Sequence, residues 1–269
     1  WSEDQSIGYL TIMTDPSPLD AHKPAVIAEL IESAGVAKAH LPVKQMLVLG
    51  MLAGAFIGFG AAAYTMVMTG VDPTYGPARF LGGVVFSLGL ILVVVGGAEL
   101  FTGNALMVMA TVDRKISVRD LLRNWGVVYI GNLIGAVGLA IAFGFSGLLD
   151  TPMGGTAVTL ANAKAELPFF QGIVRGALCN ALVCLAVWLT FAARTVAGKV
   201  LAILWPISGF VLLGLEHSVA NMFFFPQGWA AGADMNMGGA LSNMISVTIG
   251  NILGGGAGVA LAYQFAYLG

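Results

Sequence analysis

The sequence predicts an all-α membrane protein of six transmembrane helices, built as an inverted 3+3 repeat whose second and fifth spans are interrupted. Three observations carry this. Of 269 residues, 58% are hydrophobic and only 10% are charged, with a mean hydropathy of +0.87. Such a composition belongs to chains that cross membranes as apolar helices. Two apolar runs are broken alike: Gly97-Ala-Glu-Leu-Phe-Thr-Gly-Asn104 and Gly214-Leu-Glu-His-Ser-Val-Ala-Asn221 align Glu99 with Glu216 and Asn104 with Asn221 at an offset of 117. Gly131-Asn132 recurs as Gly250-Asn251 at an offset of 119. Three spans per copy force the second copy to be inverted, and matching breaks in the two halves point to a transport site.

In chain order, residues 1–42 form an N-terminal segment and 43–269 the six-span domain. The start is polar, with a breaker cluster at Asp15-Pro16-Ser17-Pro18. It lacks the basic start and apolar core of a cleavable signal peptide, so none is expected. From Asp20, a candidate cap, the residues Val26, Ile27, Leu30, Ile31 and Ala34 recur at helical spacing, with Gly35 a weak point. They predict an amphipathic helix too short and too charged to span, lying in the membrane interface or beneath the bundle. The spans follow at roughly 43–69, 80–110, 120–147, 169–193, 200–225 and 240–267, each near or above the ~20 residues a crossing needs. Gly50, Gly54 and Gly58 give the first a small-residue face for close helix contact.

Charge sets the orientation. With the N-terminus inside, the inner side collects Lys23, Lys38, Lys44, Arg114, Lys115, Arg119, Arg123, Arg194 and Lys199. The outer side has Arg79, Lys164 and, just inside the fourth span, Arg175. This positive-inside bias predicts cytoplasmic termini. A net charge of -2 gives no reason to expect a nucleic-acid partner. Cys179 and Cys184, within one apolar run, suit packing rather than a disulfide or metal site.

The sharpest chemical signal is Glu216-His217 at the fifth-span break, since ionisable groups at membrane depth are costly unless they face a cavity or partner. Histidine titrates nearest neutral pH; alternatively, His217 only hydrogen-bonds backbone freed by the break. Glu99 and Glu216 are expected to support the breaks by accepting hydrogen bonds from exposed amides, rather than to act directly in transport, and Asn104 and Asn221 are expected to support the breaks with them. Thr102 and Asn180 either line a passage or bond neighbouring helices. Phe86, Leu90, Leu100, Phe101 and Phe210 cluster near the breaks, which makes a hydrophobic gate worth weighing against simple core packing. Lys164 either attracts anions on the outer side or is a solvated loop lysine.

From about Pro18 to Tyr267 the chain resembles the formate–nitrite transporter family. The resemblance rests on Gly97 to Asn104, Gly176-Ala-Leu-Cys-Asn-Ala-Leu-Val-Cys-Leu-Ala-Val-Trp188, Gly214 to Met222 and Thr248-Ile-Gly-Asn-Ile-Leu-Gly-Gly255. It implies a multi-pass protein of the prokaryotic inner membrane with an aquaporin-like protomer, assembled as a homopentamer with one substrate passage per protomer. It also implies small monovalent anions as substrates: formate first, then nitrite, then hydrosulfide, or short monocarboxylates. On this resemblance the central histidine falls on His217 and the second-span constriction on Leu90, Leu100, Phe101 and Thr102. The facing constriction falls on Phe210, the pore asparagine on Asn180 and the outer lysine on Lys164. Asn104 and Asn221 are not followed by Pro-Ala, which argues against a water or glycerol channel.

The mechanism expected from these parts turns on desolvation, which costs an anion several kcal/mol at an apolar constriction. Either His217 transiently supplies a proton or positive potential, or it stays neutral and donates a hydrogen bond in a plain anion channel. The competing class, a membrane-embedded enzyme or receptor, needs a metal cluster, nucleophile or cofactor motif. His22, His40 and His217 with two packed cysteines suggest none, so no cofactor, metal or catalytic residue is expected.

Overall fold

The computed structural model describes residues 21–269. The Asp15–Pro18 breaker cluster and the Asp20 cap lie outside them. The helices are α1 (Pro24–Ala39), α2 (Val43–Val67), α3 (Gly76–Gly96), α4 (Gly103–Val112), α5 (Val118–Phe145), α6 (Pro152–Ala165), α7 (Phe169–Ala192), α8 (Val196–Leu212), α9 (Ser218–Ala230) and α10 (Met237–Tyr267). Five of these, α2, α3, α5, α7 and α10, are long and apolar enough to cross a membrane. The fifth span is split between α8 and α9. The second continues past its break as α4, which begins as a 3₁₀ turn over Gly103–Met107.

The packing repeats itself when α1–α5 are laid on α6–α10. Helix α5 crosses α2 as α10 crosses α7; α3 flanks α2 as α8 flanks α7; α3 and α8 meet at the centre. Glycines set the close crossings. A Cβ on Gly50 would meet Gly131 Cα at 3.1 Å, and one on Gly176 would meet Gly250 Cα at 3.2 Å. Backbones this close are held by dispersion and polar contacts, because lipid offers helices no hydrophobic drive to associate.

Two expectations change. The stretch before the fourth span holds a helix, α6, started by Pro152 at its first turn and by Thr151 Oγ1, which accepts from the Met153 amide at 3.4 Å. It is the second-half counterpart of α1, so each repeat unit is a short helix plus three spans. Helix α1 packs beneath the bundle against α4, α5 and α7, but its buried stripe is Ile27, Ala28, Ile31, Glu32, Gly35 and Ala39. Val26 and Leu30 are exposed instead. The face turns because Gly35 gives the closest seat, within 3.5 Å of Met107 Cα for an added Cβ. Both cysteines are free and buried, as packing residues should be. Helix α10 carries an unforeseen π-helical stretch over Leu253–Leu261, a feature that often marks functional sites.

Candidate functional site: two cavities meeting at the helix breaks

Each break begins with a left-handed backbone turn that glycine accommodates without strain: Gly97 ends α3 at φ 79° and Gly214 follows α8 at φ 68°. A side chain there is strained by about 1–2 kcal/mol. The chain beyond each glycine is non-helical, so its polar backbone groups need partners. The third span of each half supplies them. Asn132 Oδ1 accepts from the Phe101 amide at 2.9 Å, while its Nδ2 donates to Gly50 O at 2.8 Å and Glu99 O at 2.9 Å. Asn251 does the same for the second break: Oδ1 accepts from the Ser218 amide at 2.8 Å, and Nδ2 donates to Gly176 O at 2.8 Å and Glu216 O at 3.0 Å.

The glutamates have other partners than the backbone amides expected of them. Glu99 accepts from Lys38 Nζ at 2.5 Å and Asn104 Nδ2 at 2.7 Å, and Asn104 Nδ2 also donates to Asn124 Oδ1 at 2.8 Å. Glu216 accepts from Lys164 Nζ at 2.9 and 3.0 Å and from Asn221 Nδ2 at 2.7 Å, with Asn221 Nδ2 donating to Asn243 Oδ1 at 2.8 Å. Lys38 and Lys164, on the equivalent helices α1 and α6, therefore neutralise the two buried carboxylates. This corrects the reading of Lys164 as a free loop cation: its charge is spent on Glu216. Backbone groups at the breaks are taken by Asn132 and Asn251 because an amide side chain can accept from one N–H and donate to two carbonyls at once. Lys38, Asn124 and Asn243 were not singled out from sequence; Asn124 and Asn243 stand at the same 119 offset as the Gly-Asn pairs, which was the available signal.

A cavity opens at each break. The Lys164 cavity, about 200 Å³, reaches inward to Phe86, Phe210 and His217. The Lys38 cavity, about 230 Å³, reaches inward to Leu90 and Leu100. Between them Phe86 and Phe210 meet edge to face at 5.5 Å, and Phe210 stacks on the His217 ring at 6.1 Å. All five of these side chains are at most 4% exposed. Phe101 is not in this wall: its ring packs edge-on against Trp125 and Tyr129 of α5, at 6.0 and 4.9 Å. The alternation of the non-helical loop turns Leu100 and Phe101 to opposite sides.

One hydrogen bond joins the two break loops, Thr102 Oγ1 to His217 Nε2 at 2.9 Å. His217 is also the N-cap of α9, its Nδ1 accepting from the Ala220 amide at 3.1 Å. An accepting Nδ1 carries no proton, so these bonds assign the neutral ring with its proton on Nε2, donated to Thr102. Asn180 lines neither cavity. It braces the centre from behind, with Nδ2 donating to Thr102 O at 3.1 Å and Asn251 O at 2.7 Å, and leaves a buried Oδ1 without a protein partner. Under the repeat, His217 stands where the first half has Leu100. No cluster of three metal-ligating side chains occurs among the described residues.

This fold and site define a membrane-embedded transport protein: two polar-lined cavities facing each other across a thin apolar wall with one polar pair in it. The chain matches the formate/nitrite transporter family over residues 25–265 and belongs to that family. It is 45% identical to the uncharacterized transporter YrhG of Bacillus subtilis (strain 168), covering 91% of this chain and 93% of that one. It is 37% identical to the formate channel FocA of Escherichia coli (strain K12), covering 95% and 98% of the two chains. A solved pentameric formate channel with formate bound superposes with a TM-score of 0.76 at 40% identity, covering 84% of this chain and 98% of that one.

Proposed function

We propose that the protein is a homopentameric channel for small monovalent anions, formate foremost, with a passage through each protomer by way of the two cavities. The observation that carries this is the Thr102–His217 hydrogen bond set in the apolar wall where the cavities meet. Formate is preferred because relatives sharing nearly the full length of the chain are named as formate channels or transporters. Phe86 and Phe210 gate one cavity, Leu90 and Leu100 the other. The positive-inside count supports cytoplasmic termini, with the 1–42 segment and the Lys38 cavity on the inner side and the Lys164 cavity on the outer.

An anion entering the wall loses water and meets the Thr102 hydroxyl, whose proton is free because Oγ1 accepts from His217, and it takes the Nε2–H of His217 by replacing Thr102 as its acceptor. A hydrogen bond to a charged group offsets about 1.5–3 kcal/mol of that loss. Protonating the ring would require Nδ1 to give up the Ala220 amide, so the geometry favours a neutral donor over a proton relay. The test is flux of formate, nitrite and hydrosulfide, side by side, into liposomes holding the purified protein, with its mass measured in detergent. Formate entering no faster than in empty liposomes sinks the function; a stable monomer sinks the assembly.

A further inference from the structure

We infer that Arg79 and Arg175 form an anion-binding subsite at the mouth of the Lys164 cavity, one that takes a planar carboxylate through their guanidinium N–H groups. The inference rests on the channel reading above and adds to it where the anion first binds and how its shape is recognised.

The charge inventory of the two cavities is the starting point. The Lys164 cavity is lined by Lys164, Arg79 and Arg175 against one acid, Glu216; the Lys38 cavity by Lys38 against Glu99. The Lys–Glu pairs cancel in both, with Nζ to carboxylate distances of 2.9 and 2.5 Å. What remains is two guanidiniums on one side and none on the other. Neither arginine pairs with a carboxylate among the described residues. Arg175 is exposed and reaches only Gln171 Oε1, at the outer limit of 3.5 Å. Arg79 lies against the left-handed Gly214, and its Nε is buried without a hydrogen-bond partner.

The repeat separates scaffold from function here. At the equivalent positions of the other half stand Val196 for Arg79, by the offset that pairs Gly97 with Gly214, and Leu49 for Arg175. The second equivalence is structural: the Glu216 amide donates to Arg175 O at 3.4 Å as the Glu99 amide donates to Leu49 O at 3.2 Å. The fold is therefore satisfied by apolar residues at both places. A buried guanidinium donor left unpaired is costly unless a ligand fills it. Its fork suits the two oxygens of a carboxylate bidentately. Tyr64 lines the same cavity and offers a further hydroxyl. Hydrosulfide, with one acceptor atom, gains the charge attraction but not the two-point fit.

The experiment pairs binding with flux. Binding of ¹³C-formate to the purified protein in detergent is read by line broadening, and initial formate and hydrosulfide uptake by vesicles of each orientation. The variants are Arg79→Gln, Arg175→Gln and the double Arg→Lys substitution. Each Gln variant should weaken formate binding and raise half-saturating formate about tenfold when the anion is presented at the Lys164 side, while uptake from the Lys38 side changes little. The Lys double variant should raise half-saturation for formate several-fold and leave hydrosulfide unchanged. Arg175 is exposed, so its substitution tests the proposal even if Arg79→Gln fails to fold. Parent-like formate binding in both Gln variants, no formate binding by the parent, or an equal effect from both sides overturns the subsite. Parent protein that binds formate and loses it on substitution, yet carries none across, upholds the subsite and overturns the channel reading.

Discussion

Replacing His217 separates its two bonds. The Nδ1 bond to the Ala220 amide caps α9, and the Nε2 proton faces Thr102 and the wall. His217→Phe keeps a planar apolar ring and deletes both. Losing the cap lowers stability by about 1 kcal/mol, which a pentamer should survive. Losing the donor removes about 1.5–3 kcal/mol of stabilisation from an anion in the wall, which at 1.36 kcal/mol per tenfold is a fall in formate flux of roughly ten- to 150-fold. His217→Asn retains an oxygen for the Ala220 amide and an amide donor, so it should keep most of the flux. Because the ring is assigned as neutral, the Asn variant should also keep the parent's pH response. Formate uptake by liposomes between pH 5 and 8, with the oligomer checked by mass, gives the answer. An Asn variant that conducts but has lost its pH response would establish a proton relay instead. Parent rates and parent pH profile in both variants would make His217 a cap and nothing more.

Other expectations follow from the paired scaffold. Asn132→Ala and Asn251→Ala each strand one amide and one loop carbonyl in the membrane interior, Gly50 and Gly176 keeping their helical bonds; both should cost about 2–3 kcal/mol or more in detergent unfolding, and a loss confined to one would break the equivalence. Lys164→Met should destabilise more than Lys38→Met, since the Lys164 side chain is 15% exposed and that of Lys38 31%; stranding the buried Glu216 costs about 3–5 kcal/mol, and the reverse order in thermal unfolding refutes this. On α1, burial raises the Glu32 carboxyl above its ordinary value, with the Lys115 ion pair opposing. A raised carboxyl favours the folded state at low pH and loses that contribution as pH climbs through the folded value. Protection of the α1 amides, taken relative to their intrinsic base-catalysed exchange rates, should thus rise on acidification, and Glu32→Gln should abolish that rise.

Much of this was legible because lipid is an unforgiving solvent. Apolar runs of span length, the Gly-Glu breaks and the recurring Gly-Asn pair each have one physical meaning at membrane depth, and they placed His217 and Thr102 at the centre. What escaped notice did so for particular reasons. Helix α6 is only 14 residues, rich in Gly, Ala and Thr, so it reads as a loop until its equivalence to α1 is seen. Lys38 was counted as a topology signal because its partner Glu99 lies 61 positions away. The offset between halves is 126 at Lys38 and Lys164, 117 at the glutamates and 119 at the asparagines, so no single shift aligns the whole network. Phe101 was misplaced because a non-helical loop has no periodicity from which to tell its side from that of Leu100.

The near-exact repetition of the scaffold gives its exceptions their meaning. Paired lysines, glutamates and asparagines hold both breaks open by nearly the same bonds, the difference being that Lys38 Nζ also donates to Asn104 Oδ1 at 3.0 Å while Asn221 Oδ1 is buried without a partner. A scaffold so repeated gives little preference for one face of the membrane. Preference has to come from positions where the halves differ. Leu100 opposes His217 at the wall, Gly54 opposes Asn180 behind Thr102, and Leu49 and Val196 oppose Arg175 and Arg79 at the mouths. His217, Asn180 and Arg175 belong to the second half and Arg79 to the first, yet His217, Arg79 and Arg175 all line the Lys164 cavity. Leu100→His would put an imidazole on each side of the wall and test whether that asymmetry matters. Beside Leu90 it lacks the α9 cap and the Thr102 bond that fix His217, so it should add little formate flux. Uptake from the Lys38 side rising to match the His217-dependent flux would show that a donor alone, without its cap, is sufficient.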